Sequence, residues 1–100
     1  MIILTGYVHI DPCDVGEFSA DVEALARGAR ARAGCLFYAV APQDAPAGRM
    51  LVAERWRDQS ALTAHLEAAE TAAFVARWTG RMTADILKFD ADNERRLADA

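Results

Sequence analysis

Three segments of this chain alternate like β-strands yet are apolar on both sides. In the first, Ile2, Leu4, Val8 and Ile10 fall on one face, and Ile3, Thr5 and Tyr7 on the other. In the second, Leu36, Tyr38 and Val40 oppose Cys35, Phe37 and Ala39; in the third, Met50 and Val52 oppose Leu51 and Ala53. An antiparallel sheet with one wet face reads as clean apolar–polar alternation, so these strands need cover on both sides. Leaving several hundred Å2 of apolar surface in water costs several kcal/mol at ~25 cal/mol per Å2. Helices can cover one face. The simplest cover for the other is a second copy related by twofold symmetry, so a homodimer is expected. A monomer that holds a partner or ligand on the open face is the alternative.

The first strand, over 2–10, ends at Asp11-Pro12, a turn signal. Asp14 and Glu17 read as a capping box for a helix whose apolar face is Phe18, Val22, Leu25 and Ala29. That helix is expected to reach Arg32 and to close at Gly34. Gly28 inside it costs about 1 kcal/mol relative to alanine, which predicts a close packing contact. Residues 35–41 read as a second strand, 42–48 as a loop and 49–57 as a third strand. Asp58 or Ser60 caps a second helix over 61–69, and a break near Glu70-Thr71 leads to a helical piece over 72–79. Gly80 stops it, and 82–89 is a fourth strand. The order β-α-β-β-α-β is the ferredoxin-like α+β arrangement, a four-stranded antiparallel sheet with its helices on one face. At 100 residues one domain is expected, over 1–90, with a polar tail over 91–100.

Fifteen acidic against eleven basic residues, net −4, leave no basic stripe for nucleic acid. No run approaches the ~20 apolar residues of a membrane span. The apolar Met1–Leu4 gives way at once to Thr5-Gly6 with no basic segment before it, so no targeting segment is expected. Cys13 and Cys35 then read as reduced thiols in a cytoplasmic protein. Two histidines and dispersed carboxylates give no metal-ligand spacing. There is no phosphate loop or dinucleotide fingerprint, and no cofactor is expected.

The chemistry-bearing residues concentrate in 51–66. Glu54 and Trp56 share one side of the third strand, Asp58 ends it, and the next helix places His65 one turn beyond Leu62. A carboxylate, an indole and an imidazole thus meet at one strand-to-helix junction. With an ordinary pKa near 6.5, His65 is a candidate general base; a helix histidine can equally serve structure by bonding a carboxylate or carbonyl. Glu54, set among apolar residues, needs a partner. An arginine ion pair is expected, and orienting His65 or binding a substrate hydroxyl is the alternative. Trp56 and Trp78 are large enough to be core, or stacking platforms where a site adjoins them. Tyr38 and Tyr7 carry hydroxyl donors, His9 is expected in solvent, and Cys35 reads as a small core residue.

Gly34-Cys35 with Tyr38, the Glu54-x-Trp56 pair, Asp58, Ala61-Leu62, and His65-Leu66 followed by Phe74 occur in an order that resembles the antibiotic biosynthesis monooxygenase family of dimeric α/β barrels, over 2–89. The resemblance implies the ferredoxin-like dimer and one of several activities. Some members oxidise phenols or hydroquinones to quinones without a cofactor; others degrade haem, isomerise a phosphorylated signalling molecule, or have no assigned activity. The haem-degrading branch uses an Asn, a Trp and a His where this chain has Gly6, His65 and Val75, which argues against that chemistry here. Many relatives carry a second histidine where this chain has Glu70, preceded by Thr-Pro where it has Ala68-Ala69.

The expectation drawn from resemblance and residue chemistry together is a cofactor-independent monooxygenase acting on a small aromatic or enolic substrate with O2. Its site lies in the cleft between the sheet and the second helix of one subunit. His65 is the base, Tyr38 or Arg77 stabilises the anion, Trp56 or Trp78 stacks on the ring, and Glu54 contacts a substrate hydroxyl. A non-catalytic small-molecule-binding or stress-related dimer, or an isomerase using the same base, are the alternatives.

Overall fold

The computed structural model describes residues 1–99. Strand β1 (Ile2–Ile10) leads into helix α1 (Val15–Arg30), strands β2 (Cys35–Asp44) and β3 (Arg49–Trp56), helices α2 (Gln59–Glu67) and α3 (Ala69–Trp78), and strand β4 (Met82–Asp90). The sheet order is β2-β3-β1-β4 and every neighbouring pair is antiparallel. This is the ferredoxin-like arrangement expected from the element order. Beyond β4, residues 91–99 hold one short 3-10 turn, Leu97–Asp99, and Ala91 donates its N–H to the Met1 carbonyl at 2.8 Å. The last tail residue, Ala100, lies outside the described residues. Among the described residues, no helix is long and apolar enough to cross a membrane.

Several local expectations are corrected. Asp14 sits at the N-cap of α1 but makes no side-chain cap bond. Its carboxylate lies 3.5 Å from Arg81, and Glu17 pairs with Arg77 (2.9 Å) and Arg81 (3.1 Å). The two acids tie α1 to α3 and the start of β4 instead of closing a capping box. The loop expected from Pro42 is strand as far as Asp44. β2 is an edge strand, where a proline without an N–H is tolerated, and the register shifts between Pro42 and Asp44. A second shift, between Cys35 and Phe37, inserts Leu36 as an extra residue. It turns Leu36 outward, half exposed, while Cys35 packs with Tyr38 and Val40 against the core. The expected faces of β2 therefore hold from Phe37 onward and fail before it. The break between the second pair of helices falls at Ala68, not near Glu70-Thr71.

The helices cover the face of Ile2, Val8, Ile10, Tyr38, Met50, Val52, Glu54 and Trp56, all buried. Two apolar clusters form there. One gathers Ile2, Ala29, Tyr38, Trp56 and Leu62; the other gathers Val8, Phe18, Val22, Met50 and Trp78. Gly6 sits on β1 between them, paired with Val52 and Ile86. A Cβ there would lie 2.1 Å from the Asp85 carbonyl oxygen, so only glycine lets β4 approach this closely. At Gly28 the expected close contact is absent: a Cβ would meet only the Glu70 carboxylate, at an ordinary 3.4 Å.

Among the described residues no helix covers the opposite face of the sheet; only the tail after β4 reaches it, at Ile3 and Arg55, where Glu94 lies 3.8 Å from the Arg55 guanidinium. Cross-strand register places Phe37, Arg55, Ile3 and Phe89 in one row, Ala39, Ala53, Thr5 and Leu87 in the next, and Ala41, Leu51, Tyr7 and Asp85 in a third. Phe37, Leu51, Leu87, Phe89 and Tyr7 are each between about one third and two thirds exposed. Arg55 lies over the Phe37 ring and Arg49 over the Tyr7 ring, at 5.2 and 5.5 Å.

Candidate active site

Asp58 sets the position of the central histidine. Its Oδ1 accepts the Ala61 N–H at 2.8 Å, which starts α2 directly after β3. That bond, with help from Arg57, holds the Asp58 carboxyl below the usual carboxylate range. Ala61, Leu62 and His65 then share the helix face that meets the sheet, and all three are buried. The His65 ring stacks on Trp56 (centroids 4.8 Å, planes 23° apart) and meets the Tyr38 ring edge-on at 5.5 Å. Trp56 is in turn fixed by its Nε1–H, which donates to Glu54 Oε1 at 3.0 Å. The strand period places both on one face, and the carboxylate locks the indole on which the imidazole rests.

Glu54, His65 and Tyr38 line a cavity of about 170 Å3 between the sheet and the three helices. Val8, Val22, Val52, Phe74 and Ile86 supply much of the apolar remainder. Leu66 and Val75 also line it and are half exposed, so it opens beside the edge strand β4. A cavity of this size takes about one six-membered ring. A larger hollow, about 410 Å3, lies where the tail folds over Met1, Ile3 and Arg55, and none of the candidate residues lines it.

Burial governs the charges here. It pushes the Tyr38 hydroxyl well above the ordinary phenol range, and the nearby Glu54 adds to the effect. Burial also raises the Glu54 carboxyl, opposed in part by the Trp56 hydrogen bond. The His65 imidazole is lowered, first by burial and then by the positive charge of Arg32. At neutral pH the cavity therefore presents a neutral imidazole and a neutral phenol, and the imidazole Nδ1 has no hydrogen-bond partner. The arrangement can accept a proton from a bound hydroxyl and donate a hydrogen bond to the resulting anion.

Other expected residues stand elsewhere. Among the described residues no arginine of the same chain pairs with Glu54; its partner is the Trp56 indole. Trp56 is fully buried beneath His65 and is absent from the cavity wall. Trp78 is fully buried on the far side of Phe18, 4.9 Å between ring centroids, with its Nε1–H donated to Asp21 at 2.9 Å. Arg77 lies on the outer surface between Glu17 and Asp21. The structure thus brings Tyr38, Glu54 and His65 together, and leaves Arg77 and Trp78 outside. Glu70, where a second histidine was sought, binds Arg32 at 2.8 Å and ties α3 to the end of α1. Among the described residues no three His, Cys, Asp or Glu side chains are placed to hold a metal ion.

One wall residue escaped the sequence reading. Thr71 is buried and lines the cavity, but the helix break was placed on it. Spacing held the signal: Thr71, Phe74, Val75 and Trp78 recur at three, four and seven residues, one face of a helix that begins at Ala69.

The family model described as "Antibiotic biosynthesis monooxygenase" matches residues 1–77. A Bacillus subtilis (strain 168) protein named "Putative monooxygenase YcnE" is 29% identical over 77 residues, which are 77% of this chain and 81% of that protein. The fold is shared with a crystal structure from Deinococcus radiodurans titled as a putative antibiotic biosynthesis monooxygenase. Its TM-score is 0.85 at 20% identity, covering 97% of this chain and 98% of that one. A similarly titled structure from Caulobacter crescentus has a TM-score of 0.82 at 23% identity, covering 92% and 90%.

Proposed function

The chain belongs to the antibiotic biosynthesis monooxygenase family, and on that premise we propose that it oxidises a small phenolic or hydroquinone-type molecule with O2, using His65 as the base and no cofactor. The observation that carries this reading is the His65 imidazole, held neutral by burial, on the wall of a mostly apolar, ring-sized cavity. Ground-state O2 is a triplet, and its direct reaction with a closed-shell molecule is spin-forbidden. A phenolate avoids the restriction by giving up one electron. His65 takes the phenolic proton, and the neutral Tyr38 hydroxyl donates to the oxyanion. The phenolate reduces O2 to superoxide, and the two radicals combine into a C–O bond. The peroxide takes up a proton; loss of the ring C–H proton then cleaves the O–O bond. Phenol and O2 give quinone and water, with every electron supplied by the substrate. The apolar wall keeps bulk water from the anion.

The reading includes a homodimer. A second copy of the sheet face that carries Phe37, Leu51, Leu87 and Phe89 would bury those rows against their own twofold mates.

Oxygen uptake over a panel of phenols, hydroquinones and dihydroxynaphthalenes tests the chemistry. The parent should consume O2 as quinone appears. His65→Ala should lose about 100-fold or more, the usual contribution of a positioned base. Because burial lowers the imidazole, the rate should rise with pH with its midpoint below the ordinary histidine pKa. Equal rates in parent and His65→Ala would remove the base. Saturable binding without any uptake would favour the binding-protein alternative.

A further inference from the structure

Ion pairs tie α3 to α1 at two places. Arg32, just beyond the end of α1, meets Glu70 at 2.8 Å, and Arg77 meets Glu17 and Asp21 at 2.9 and 3.2 Å. Between these ties a surface groove of about 250 Å3 remains, lined by Ala24 and Ala73, whose methyl groups do not fill it. Leu25 and Phe74 line this groove and also line the cavity that holds His65. Groove and cavity therefore lie back to back, with these two side chains between them. Leu25 is buried in the core, whereas Phe74 is half-buried and packs edge-on against Phe18, 5.5 Å between ring centroids.

We propose that Phe74 is a specificity-determining residue: its ring closes the cavity toward the groove and limits the ligand to a single six-membered ring. The identity of that ligand rests on the phenolic reading above, but the size limit belongs to the wall and can be measured without turnover. The cavity, about 170 Å3, has room for one ring. It opens by the half-exposed Leu66 and Val75. A fused second ring must either leave through that opening or displace Phe74. The first course forfeits the burial of the second ring. The second moves a side chain packed on the fully buried Phe18, in a core with little room to yield. The exposed Glu70 and Arg77 line the groove, so it is wet. The Phe74 ring thus also separates that water from the apolar wall around the base.

Anaerobic titration of the whole protein with 4-methylphenol and 2-naphthol, and with toluene and naphthalene, followed by NMR shifts, measures the limit. The hydrocarbon pair reads size without a hydroxyl. In the parent the one-ring member of each pair should bind at least as tightly as the two-ring member, although apolar area alone favours the larger. Phe74→Ala should raise the ratio of two-ring to one-ring affinity by about tenfold or more, the scale of a methylene-sized misfit in an apolar pocket. Phe74→Leu retains more of the packing and should shift the ratio the same way by less; it carries the comparison where circular dichroism shows Phe74→Ala unfolded. Leu66→Ala, where the cavity is already open, should leave the ratio at the parent value. A parent that binds none of the four, or binds the two-ring member of each pair more tightly, would overturn the assignment. So would a ratio unmoved in the folded Phe74 variants, or an equal shift in Leu66→Ala. A Phe74-dependent size limit without oxygen uptake would uphold the assignment and refute the oxidation. His65-dependent uptake with a ring preference indifferent to Phe74 would do the reverse.

Discussion

Leu51 is the most direct probe of the uncovered sheet. It lies on β3, between Tyr7 of β1 and Ala41 of β2, and is 43% exposed. Fully burying a leucine side chain is worth about 1.5–3 kcal/mol, so covering the exposed part is worth about 1 kcal/mol. Twofold symmetry doubles every change, and Leu51→Asp removes about 2 kcal/mol of burial from a dimer. It also places two carboxylates in the interface, where no cation of the same row meets them. An uncompensated buried charge costs about 3–5 kcal/mol. The total, about 8 kcal/mol or more, corresponds to more than five powers of ten in dissociation constant. A dimer with nanomolar affinity would then be monomeric at 10 micromolar, a concentration set by that shift. Sedimentation velocity with circular dichroism on the same samples reads both assembly and fold. The parent should sediment as a dimer and Leu51→Asp as a folded monomer. Leu66→Asp, on a half-exposed helical residue on the other side of the sheet, should remain dimeric. A monomeric parent at tens of micromolar, or a Leu51→Asp dimer, would refute the claim that the open face needs a twin.

Two further outcomes follow from the covered face. Burial raises the Glu54 carboxyl, so the folded state binds more protons than the unfolded one above the ordinary glutamate pKa. This contribution to stability is full below about pH 4.5, the unfolded value, and is lost as pH rises through the folded value. Glu54→Gln keeps an acceptor for the Trp56 N–H and should raise Tm at pH 7.5 by about 5 °C, equivalent to about 1 kcal/mol; a gain that persists undiminished at pH 4 would show that charge is not the cause. Gly6→Ala would put a methyl group 2.1 Å from the Asp85 carbonyl oxygen. It should detach β4 or unfold the domain, seen as lost amide protection along Thr83–Leu87; a parent-like Tm and exchange pattern would contradict the close approach.

How much of this was legible in the sequence depends on the range of each interaction. Strand limits and the two-faced pattern of β1 and β3 are set by period-2 alternation and by nearby breakers such as Asp11-Pro12, and they read directly. The Asp58 cap and the inward turn of His65 are likewise local, one turn of helix apart. The bulge at Leu36 was invisible because alternation carries no mark of an extra residue; only the pairing of Cys35 with Trp56 and of Phe37 with Arg55 reveals it. The partner Glu54 finds within its own chain was missed for a related reason. An arginine was expected because charge invites charge, whereas the i+2 neighbour Trp56 was already on the same face with a spare N–H. Arg77 and Trp78 were drawn toward the site by chemistry alone. Their placement is decided by Glu17 and Asp21, about sixty positions away in the chain, a distance no local pattern spans.

The cavity follows from the same packing. Two apolar clusters fill the covered face, one around Trp56 and the other around Trp78. Each indole spends its N–H on a carboxylate held by its own cluster, Glu54 for one and Asp21 for the other. Between them the sheet and the three helices leave the 170 Å3 cavity. Its lining includes Glu54, His65 and Thr71, the only polar or charged residues buried among the described ones. A core built for stability alone would place apolar groups at these three positions, since each polar group there lowers stability unless fully bonded. Their concentration at one opening, with His65 and Thr71 lacking partners, ties the least stable part of the core to the part with the chemistry. Replacing His65 and Thr71 with apolar residues of similar volume, and Glu54 with Gln to keep the acceptor of the Trp56 N–H, should therefore raise the melting temperature and abolish ligand binding together. If such a variant still bound phenols, the cavity would be a packing defect and not a site.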